Sequence, residues 1–187
     1  MRVIAGSCRS KKLSAPPGIM ARPTSDRVKE ALFNILASRI DFAGIAVLDI
    51  CAGTGSLGIE ALSRGAGSCC FIEQNQTVKA VLEKNVLAVC CQERSRILTM
   101  DVSKALDSIM TSGQCYDLVF FDPPYSSELY KKVLETLGIG GLLSTDAIVV
   151  AECSVRNPLP GSYGHLKHFD RRVYGETSLE FFTLENK

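Results

Sequence analysis

Residues 45–58 read Ile-Ala-Val-Leu-Asp-Ile-Cys-Ala-Gly-Thr-Gly-Ser-Leu-Gly. An apolar run that ends in an acid and then in closely spaced glycines is typical of a buried strand turning sharply into a helix. Gly53, Gly55 and Gly58 satisfy the spacing G-x-G-x-x-G, in which the backbone comes close to a ligand. The stretch therefore predicts the first strand, ligand-binding turn and helix of an α/β fold.

Strands and helices alternate along the chain beyond this turn. Further strands are predicted at 68–72, 96–100, 116–121 and 147–151, with helical stretches between them. Strands joined by helices indicate a parallel sheet with right-handed crossovers and helices on both faces. Two more strands, near 168–173 and 178–184, are separated by a tight turn and predict an antiparallel C-terminal edge. We expect a mostly parallel, seven-stranded, Rossmann-like α/β sheet.

Positive charge is concentrated before the sheet. Residues 1–30 hold seven basic and two acidic side chains, a balance of +5, whereas the whole chain carries +1. Residues 1–17 predict a small β-hairpin that turns at Gly6 and Ser7. A segregated basic arm is typical of phosphate binding, although a solvated surface segment would have the same composition. We divide the chain into a basic N-terminal hairpin arm, 1–24, and an α/β domain, 25–187.

Composition argues against several other classes of protein. The 187 residues suit about one domain. No apolar run reaches the ~18 residues that a membrane helix needs, and the start of the chain lacks a signal-peptide pattern. The eight cysteines include no C-x-x-C spacing, so we expect reduced, buried thiols and no metal site. We expect a cytoplasmic monomer without a membrane partner.

Acidic residues follow the first three predicted strands. Asp49, Glu73 and Asp101 each lie at the carboxyl end of a strand, where open α/β sheets bind ligands. Glu73 lies 20 residues after Gly53, a spacing at which an acid accepts ribose hydroxyls. Asp49 would repel a pyrophosphate but suits the ammonium and sulfonium groups of S-adenosylmethionine. Each acid taken alone is also compatible with a helix N-cap or a solvated loop.

We expect these acids and the glycine turn to form a site for S-adenosylmethionine, with Asp101 meeting the adenine amino group. The predicted donor-binding residues are Asp49, Ala52, Gly53, Gly55, Glu73 and Asp101.

The sharpest motif, Asp122-Pro123-Pro124-Tyr125, follows the fourth strand. Its two prolines predict a rigid turn with carbonyl acceptors and no amide donor at either proline. An exocyclic amino group could donate to the Asp122 carboxylate and the Pro123 carbonyl, while a base stacks on Tyr125 for ~1–3 kcal/mol. In-line alignment of the amino nitrogen with the methyl group would then account for most of the catalysis, and Asp122 would offset positive charge on the attacking nitrogen. We predict that these four residues are catalytic; the alternative is a turn that merely ends the strand.

Two longer stretches resemble the RsmD family of class I methyltransferases. They are Arg22-Pro23-Thr24-Ser25-Asp26-Arg27, continuing through Asn34, and residues 51–66, within a similarity that runs from Met1 to the C-terminal strands. The resemblance implies the class I methyltransferase fold and methylation of guanine N2 in bacterial 16S ribosomal RNA. It also implies a partner, either that RNA or a small-subunit assembly particle. RNA would be held by the arm and the helix after it, with Arg9, Lys12, Arg22 and Arg27 as the best candidates.

Three other functions share parts of this pattern. A Rossmann-type NAD(P) oxidoreductase would use the glycine turn and Glu73, but it has no use for Asp122 and the two prolines. An adenine-N6 nucleic-acid methyltransferase would use the same proline turn, because the turn serves any exocyclic amine. A non-catalytic RNA-binding protein on a decayed methyltransferase fold is disfavoured, because the donor acids and the whole proline turn are intact.

Overall fold

The computed structural model describes residues 1–16, 26–123 and 128–185. Within these ranges, eight strands form one sheet, accompanied by five α-helices and a short 3-10 helix at Gln92–Arg94. The strands are β1 Ala46–Ile50, β2 Ser68–Ile72, β3 Ser95–Leu98, β4 Tyr116–Phe121, β5 Leu143–Ser154, β6 Ser162–Tyr163, β7 Leu166–Tyr174 and β8 Thr177–Leu184. The α-helices are α1 Asp26–Ala37, α2 Ser56–Ser63, α3 Gln76–Ala88, α4 Val102–Ser112 and α5 Leu129–Ile139. None of the helices in these ranges is long and apolar enough to cross a bilayer.

The sheet confirms the expected architecture. Its strand order is β3-β2-β1-β4-β5-β8-β7-β6, with parallel pairing from β3 through β5 and antiparallel pairing from β5 to β6. The chain runs outward from β1 to β3 and then returns to β4 on the other side of β1. This reversal creates the crevice in which open α/β sheets bind ligands.

One strand was not anticipated. The described sheet has eight strands rather than seven, because the two residues of β6 pair with β7 at its edge. A two-residue strand has no periodicity to read, and Pro158, Pro160 and Gly161 just before it are signals for a loop.

Helices cover both faces of the sheet, as expected. Each face has its own apolar cluster: α1, α2 and α3 pack on one side, α4 and α5 on the other. Alternate side chains of β1 divide between them, Val47 toward the first cluster and Leu48 and Ile50 toward the second. Asp49 follows the same alternation and lies on the α2 side.

The N-terminal segment (residues 1–16) packs on the body of the protein without joining the sheet. The predicted hairpin is reduced to one antiparallel bridge, between Arg2 and Lys12. Val3, Cys8 and Leu13 are buried in the apolar cluster of α1, α2 and α3. The sequence did not predict these anchors, because apolar side chains scattered along a short segment have no periodicity to read. The boundary between residues 24 and 25 falls outside the described ranges, so the division into arm and domain stays a prediction.

The eight cysteines are free thiols. Five of them are buried (Cys8, Cys69, Cys70, Cys91 and Cys153), Cys51 is half-buried, and Cys90 and Cys115 are exposed. Burial raises the pKa of the Cys51 thiol to about 12, and nearby carboxylates, Glu73 first, act in the same direction. This thiol therefore remains protonated and poorly nucleophilic at neutral pH.

Candidate functional site

Asp49 is a buried acid at the carboxyl end of β1. It is 3% exposed, and its Oδ2 accepts a hydrogen bond from the backbone N of Gly58 at 2.9 Å. Burial raises the pKa of Asp49 to about 7; the Gly58 hydrogen bond opposes this shift, and the charge of Glu73 adds to it. The carboxylate is therefore held where a cationic ligand would relieve its desolvation.

The glycine turn after β1 adopts a conformation that favours glycine. Gly53 has a φ of 56° and Gly55 a φ of 79°, both in the left-handed region. A Cβ on Gly55 would lie 2.3 Å from Cδ1 of Leu82, so α3 packs directly against the turn. A Cβ on Gly53 would meet nothing closer than the carbonyl O of Cys51 at 4.0 Å. Gly53 is thus the glycine beside which a ligand has room.

Gly58 serves a different purpose, the close packing of α2 on the sheet. A Cβ there would lie 2.4 Å from a ring carbon of Phe71 and 2.6 Å from Sγ of Cys69, both on β2. The three glycines therefore supply the turn, the access and the helix packing expected of this motif.

Glu73 follows β2 and holds the glycine turn in place. Its Oε2 accepts from the backbone N of Gly53 at 3.0 Å and its Oε1 from the N of Asn75 at 2.8 Å. The backbone N of Ala52 donates to the carbonyl O of Ile72 at 3.0 Å, extending the pairing of β1 and β2 into the turn. A carboxylate can accept about four hydrogen bonds, so the two described leave lone pairs for hydroxyl donors.

Asp101 follows β3 and caps α4. Its Oδ1 accepts from the backbone N of Ser103 at 2.9 Å and of Lys104 at 3.4 Å. The N-cap alternative for this acid is therefore observed. Asp101 is exposed, and its contact with an adenine amino group stays a prediction.

Asp122 and Pro123 continue directly from β4. The backbone N of Asp122 lies 3.4 Å from the carbonyl O of Ile50, so its position is fixed relative to β1. Asp122 is half-buried and Pro123 is buried. Burial, then Glu152, then Asp49 raise the pKa of the Asp122 carboxyl well above its usual range. Pro124 and Tyr125 lie outside the described residues.

A fifth acid, Glu152, was missed in the sequence. It is 7% exposed and lies near the end of β5, where the pairing of Phe121 with Ala151 places Asp122 and Glu152 next in register. Partners in register on parallel strands project toward the same face, which agrees with the influence of Glu152 on Asp122. The signal was present, because Glu152 directly follows the apolar run 147–151.

The comparisons with known proteins match nearly the whole chain. A protein family described as Conserved hypothetical protein 95 matches residues 1–183. Ribosomal RNA small subunit methyltransferase D of Escherichia coli (strain K12) is 35% identical over 185 residues, covering 99% of this chain and 90% of the relative. The chain belongs to the RsmD family.

A second relative and a solved structure are also similar to nearly the whole chain. YlbH of Bacillus subtilis (strain 168) is 32% identical over 182 residues, covering 97% of this chain and 98% of the relative. The solved structure of the Escherichia coli protein yhhF has a TM-score of 0.85 and 32% identity, covering 100% of this chain and 99% of that one.

Three of the four basic residues predicted to bind RNA in this RsmD-family chain are described by the structure, and all three lie on the surface. Arg9 and Lys12 are exposed on the N-terminal segment, and Arg27 is exposed in the first turn of α1. Nε of Arg2 lies 3.7 Å from Oδ2 of Asp26, so the segment and the start of α1 are neighbours. Arg22 falls outside the described residues. The described geometry thus allows one RNA-facing surface, which stays a prediction.

Acids at the ends of the five parallel strands, β1 to β5, characterise the candidate site of this RsmD-family chain. They are Asp49, Glu73, Asp101, Asp122 and Glu152. Asp49 and Glu73 contact the glycine turn, whereas Asp122 follows β4, the neighbour of β1, and Glu152 lies on β5, the next strand. The arrangement can therefore bind a cationic ligand on one side and, on the other, an amino group that donates hydrogen bonds.

Proposed function

We propose that the chain is an S-adenosylmethionine-dependent ribosomal RNA methyltransferase that acts on the exocyclic N2 of a guanine. The observation that carries the proposal is the position of Asp122-Pro123 at the end of β4. Because β4 pairs with β1, these two residues lie next to the glycine turn that follows β1. Membership of the RsmD family supports it, because a relative with 35% identity bears the name ribosomal RNA small subunit methyltransferase D.

The donor fits the residues that surround the turn. Gly53 is open on one side, and the buried Asp49 carboxylate suits a ligand that carries positive charge. Glu73 has lone pairs for ribose hydroxyls, and Asp101 would meet the adenine amino group at the end of β3. When bound, S-adenosylmethionine supplies an activated methyl group that leaves a neutral thioether behind.

The acceptor side would rely on alignment and electrostatics. Asp122 and the Pro123 carbonyl accept hydrogen bonds from the amino group, which localises electron density on its nitrogen. Asp122 then offsets positive charge as that nitrogen is alkylated, and the proton leaves to Asp122 or to water. Pro124 and Tyr125 complete the proposed catalytic turn, with Tyr125 as the stacking surface.

The proposed substrate is bacterial 16S ribosomal RNA, either free or in a small-subunit assembly particle. Arg9, Lys12, Arg22 and Arg27 would contact its phosphates. We propose that the protein is cytoplasmic and that it acts as a monomer. The monomer is supported because one copy supplies acids at the ends of all five parallel strands. Light scattering at micromolar concentration tests the monomer, and a dimer mass would contradict it.

The decisive experiment combines the protein with labelled S-adenosylmethionine and either 16S ribosomal RNA or small-subunit particles, and then identifies the modified nucleoside. N2-methylguanosine is expected, and its yield should be lost with Asp122→Ala. N6-methyladenosine would instead support an adenine methyltransferase. A thermal-shift comparison separates the remaining rival: S-adenosylmethionine should raise the melting temperature, and a rise with NAD alone would indicate an oxidoreductase.

A further inference from the structure

We propose that Asn85 and Lys29 are positioning residues that link the glycine turn to the N-terminal segment. In this arrangement the segment is part of the scaffold of the donor site as well as a candidate RNA contact. The inference rests on the proposed function, because it takes the glycine turn as the place where S-adenosylmethionine binds.

Asn85 holds the turn from the side of α3. It is buried, and its Nδ2 donates both to the carbonyl O of Thr54 at 2.9 Å and to the carbonyl O of Ser14 at 3.1 Å. Its Oδ1 accepts from the backbone N of Ser14 at 2.7 Å. One amide side chain thus bonds the turn and the end of the N-terminal segment together.

Lys29 holds the other side of the turn from α1. It is fully buried, and its Nζ donates to Oγ of Ser56 at 3.1 Å and to the carbonyl O of Arg2 at 2.6 Å. The same Nζ lies 3.6 Å from Oε2 of Glu60. Glu60 in turn accepts from the backbone N of Ile4 at 2.7 Å. The start of the segment is therefore fixed by the charged pair that also holds Ser56.

The two links bracket the most constrained point of the turn. Thr54 and Ser56 flank Gly55, whose φ is 79° and whose residue type has the greatest backbone freedom to lose. Hydrogen bonds to both neighbours restrict that freedom before a ligand arrives. Such preorganisation raises affinity by lowering the entropy that binding must remove. The affinity of this site for S-adenosylmethionine should therefore depend on contacts made by residues that are far from the glycine turn in sequence.

A matched pair of variants separates positioning from general stability. Asn85→Leu keeps the approximate size of the side chain and removes its bonds to Thr54 and Ser14. Ser63→Ala is the control: Oγ of Ser63 accepts from the N of Cys8 at 2.9 Å and donates to the O of Ala5 at 2.6 Å. Both variants remove a buried link to the N-terminal segment, but Ser63 lies at the far end of α2 from the turn.

Calorimetric titration with S-adenosylmethionine, well below each melting temperature, gives the test. We expect Asn85→Leu to weaken the donor affinity about tenfold, the effect of losing one buried hydrogen bond, whereas Ser63→Ala binds the donor like the wild type. In turnover assays, the KM for the donor should rise more than kcat falls. Equal donor affinities for Asn85→Leu and Ser63→Ala would overturn the proposal.

Ser56→Ala provides a second test if Asn85→Leu does not fold. It removes the hydroxyl that Lys29 contacts and leaves Lys29 its bonds to Arg2 and Glu60, so the segment stays docked. A donor affinity several-fold weaker than that of wild type is expected, and an unchanged affinity contradicts the role of Lys29. Failure of the proposed function is a different result, since the wild-type protein itself would then not bind S-adenosylmethionine.

Discussion

The buried acid at the end of β1 links the stability of the protein to pH. Asp49 has an ordinary pKa of 3.8 when unfolded and a pKa of about 7 in the fold, because burial disfavours its charged form. Its protonated form therefore favours folding at low pH, and this contribution is lost as pH rises from about 4 through about 7.

Asp49→Asn should remove that dependence, because the amide has no charge to desolvate and its oxygen can still accept from Gly58. Between pH 5 and pH 8 the wild type is expected to lose more stability than the variant, by up to about 3 kcal/mol. Urea unfolding of both proteins at the two pH values measures the difference. The same variant should bind S-adenosylmethionine at least about tenfold more weakly at pH 8, since it lacks the counter-charge. Parallel pH profiles would show that Asp49 is not the titrating group.

Asp122 belongs to the acceptor side and should affect chemistry more than donor binding. Asp122→Ala is expected to lower methyl transfer by about a thousandfold or more, as removal of a group that stabilises transition-state charge can do. Asp122→Asn should be milder, because it keeps an acceptor and loses only the charge. Donor titration of both variants should resemble that of wild type. An equal loss of donor affinity in Asp122→Ala and Glu73→Ala would contradict this division of roles.

Pairing between neighbouring strands sets the electrostatics of the acceptor side. Because β4 and β5 run in parallel register, Asp122 and Glu152 end side by side, and the pKa of Asp122 is raised by burial, by Glu152 and by Asp49. Glu152→Gln removes one of these negative charges and should lower the pKa of Asp122.

The acid limb of the pH profile of kcat/KM should therefore move to lower pH in Glu152→Gln, since Asp122 ionises earlier. Glu135→Gln, an exposed acid on α5, is the matched control and should leave the limb in place. An acid limb that coincides in wild type and Glu152→Gln would mean that Glu152 does not act on the titrating group.

Helix α2 depends on one glycine for its distance from the sheet. A Cβ at Gly58 would meet Phe71 and Cys69 at less than 3 Å, so Gly58→Ala should push the helix outward at a cost of roughly 1–3 kcal/mol. Donor affinity should fall as well, because α2 begins at the glycine turn. Gly161→Ala, where an added Cβ meets nothing within 4 Å, is the control for chemical denaturation and donor titration. Similar losses in both variants would contradict the packing argument.

At the scale of the whole molecule, the N-terminal segment should contribute to RNA affinity through charge. Arg9 and Lys12 are exposed, so alanine at both positions should leave folding and donor binding intact. Each lost phosphate contact flattens the slope of log affinity against log salt by ~0.7–0.9, so the double variant should change it by about 1.5. Lys131→Ala on α5 is the control. If the slope of the double variant matched that of the control, RNA would be held elsewhere.

The sequence was most informative where strands are buried on both faces. The apolar runs ending at Asp49, Glu73 and Asp122 predicted the sheet and therefore the convergence of these acids, because parallel strands share a carboxyl edge. Asn85 could not be predicted, since its partners Thr54 and Ser14 lie 31 and 71 residues away. A polar residue on a helix carries no local signal for such a contact.

The docking of residues 1–16 also imposes an order of events during synthesis. The segment is synthesised before α3, yet its side chains Cys8 and Lys11 donate to the carbonyl oxygens of Val89 and Ala88 at the end of α3. At translation speeds of roughly 5–20 residues per second, the segment waits about 4–16 seconds for that surface to be synthesised. During this interval the nascent chain carries the positive charges of the segment, while the surface on which the segment docks has not yet been synthesised.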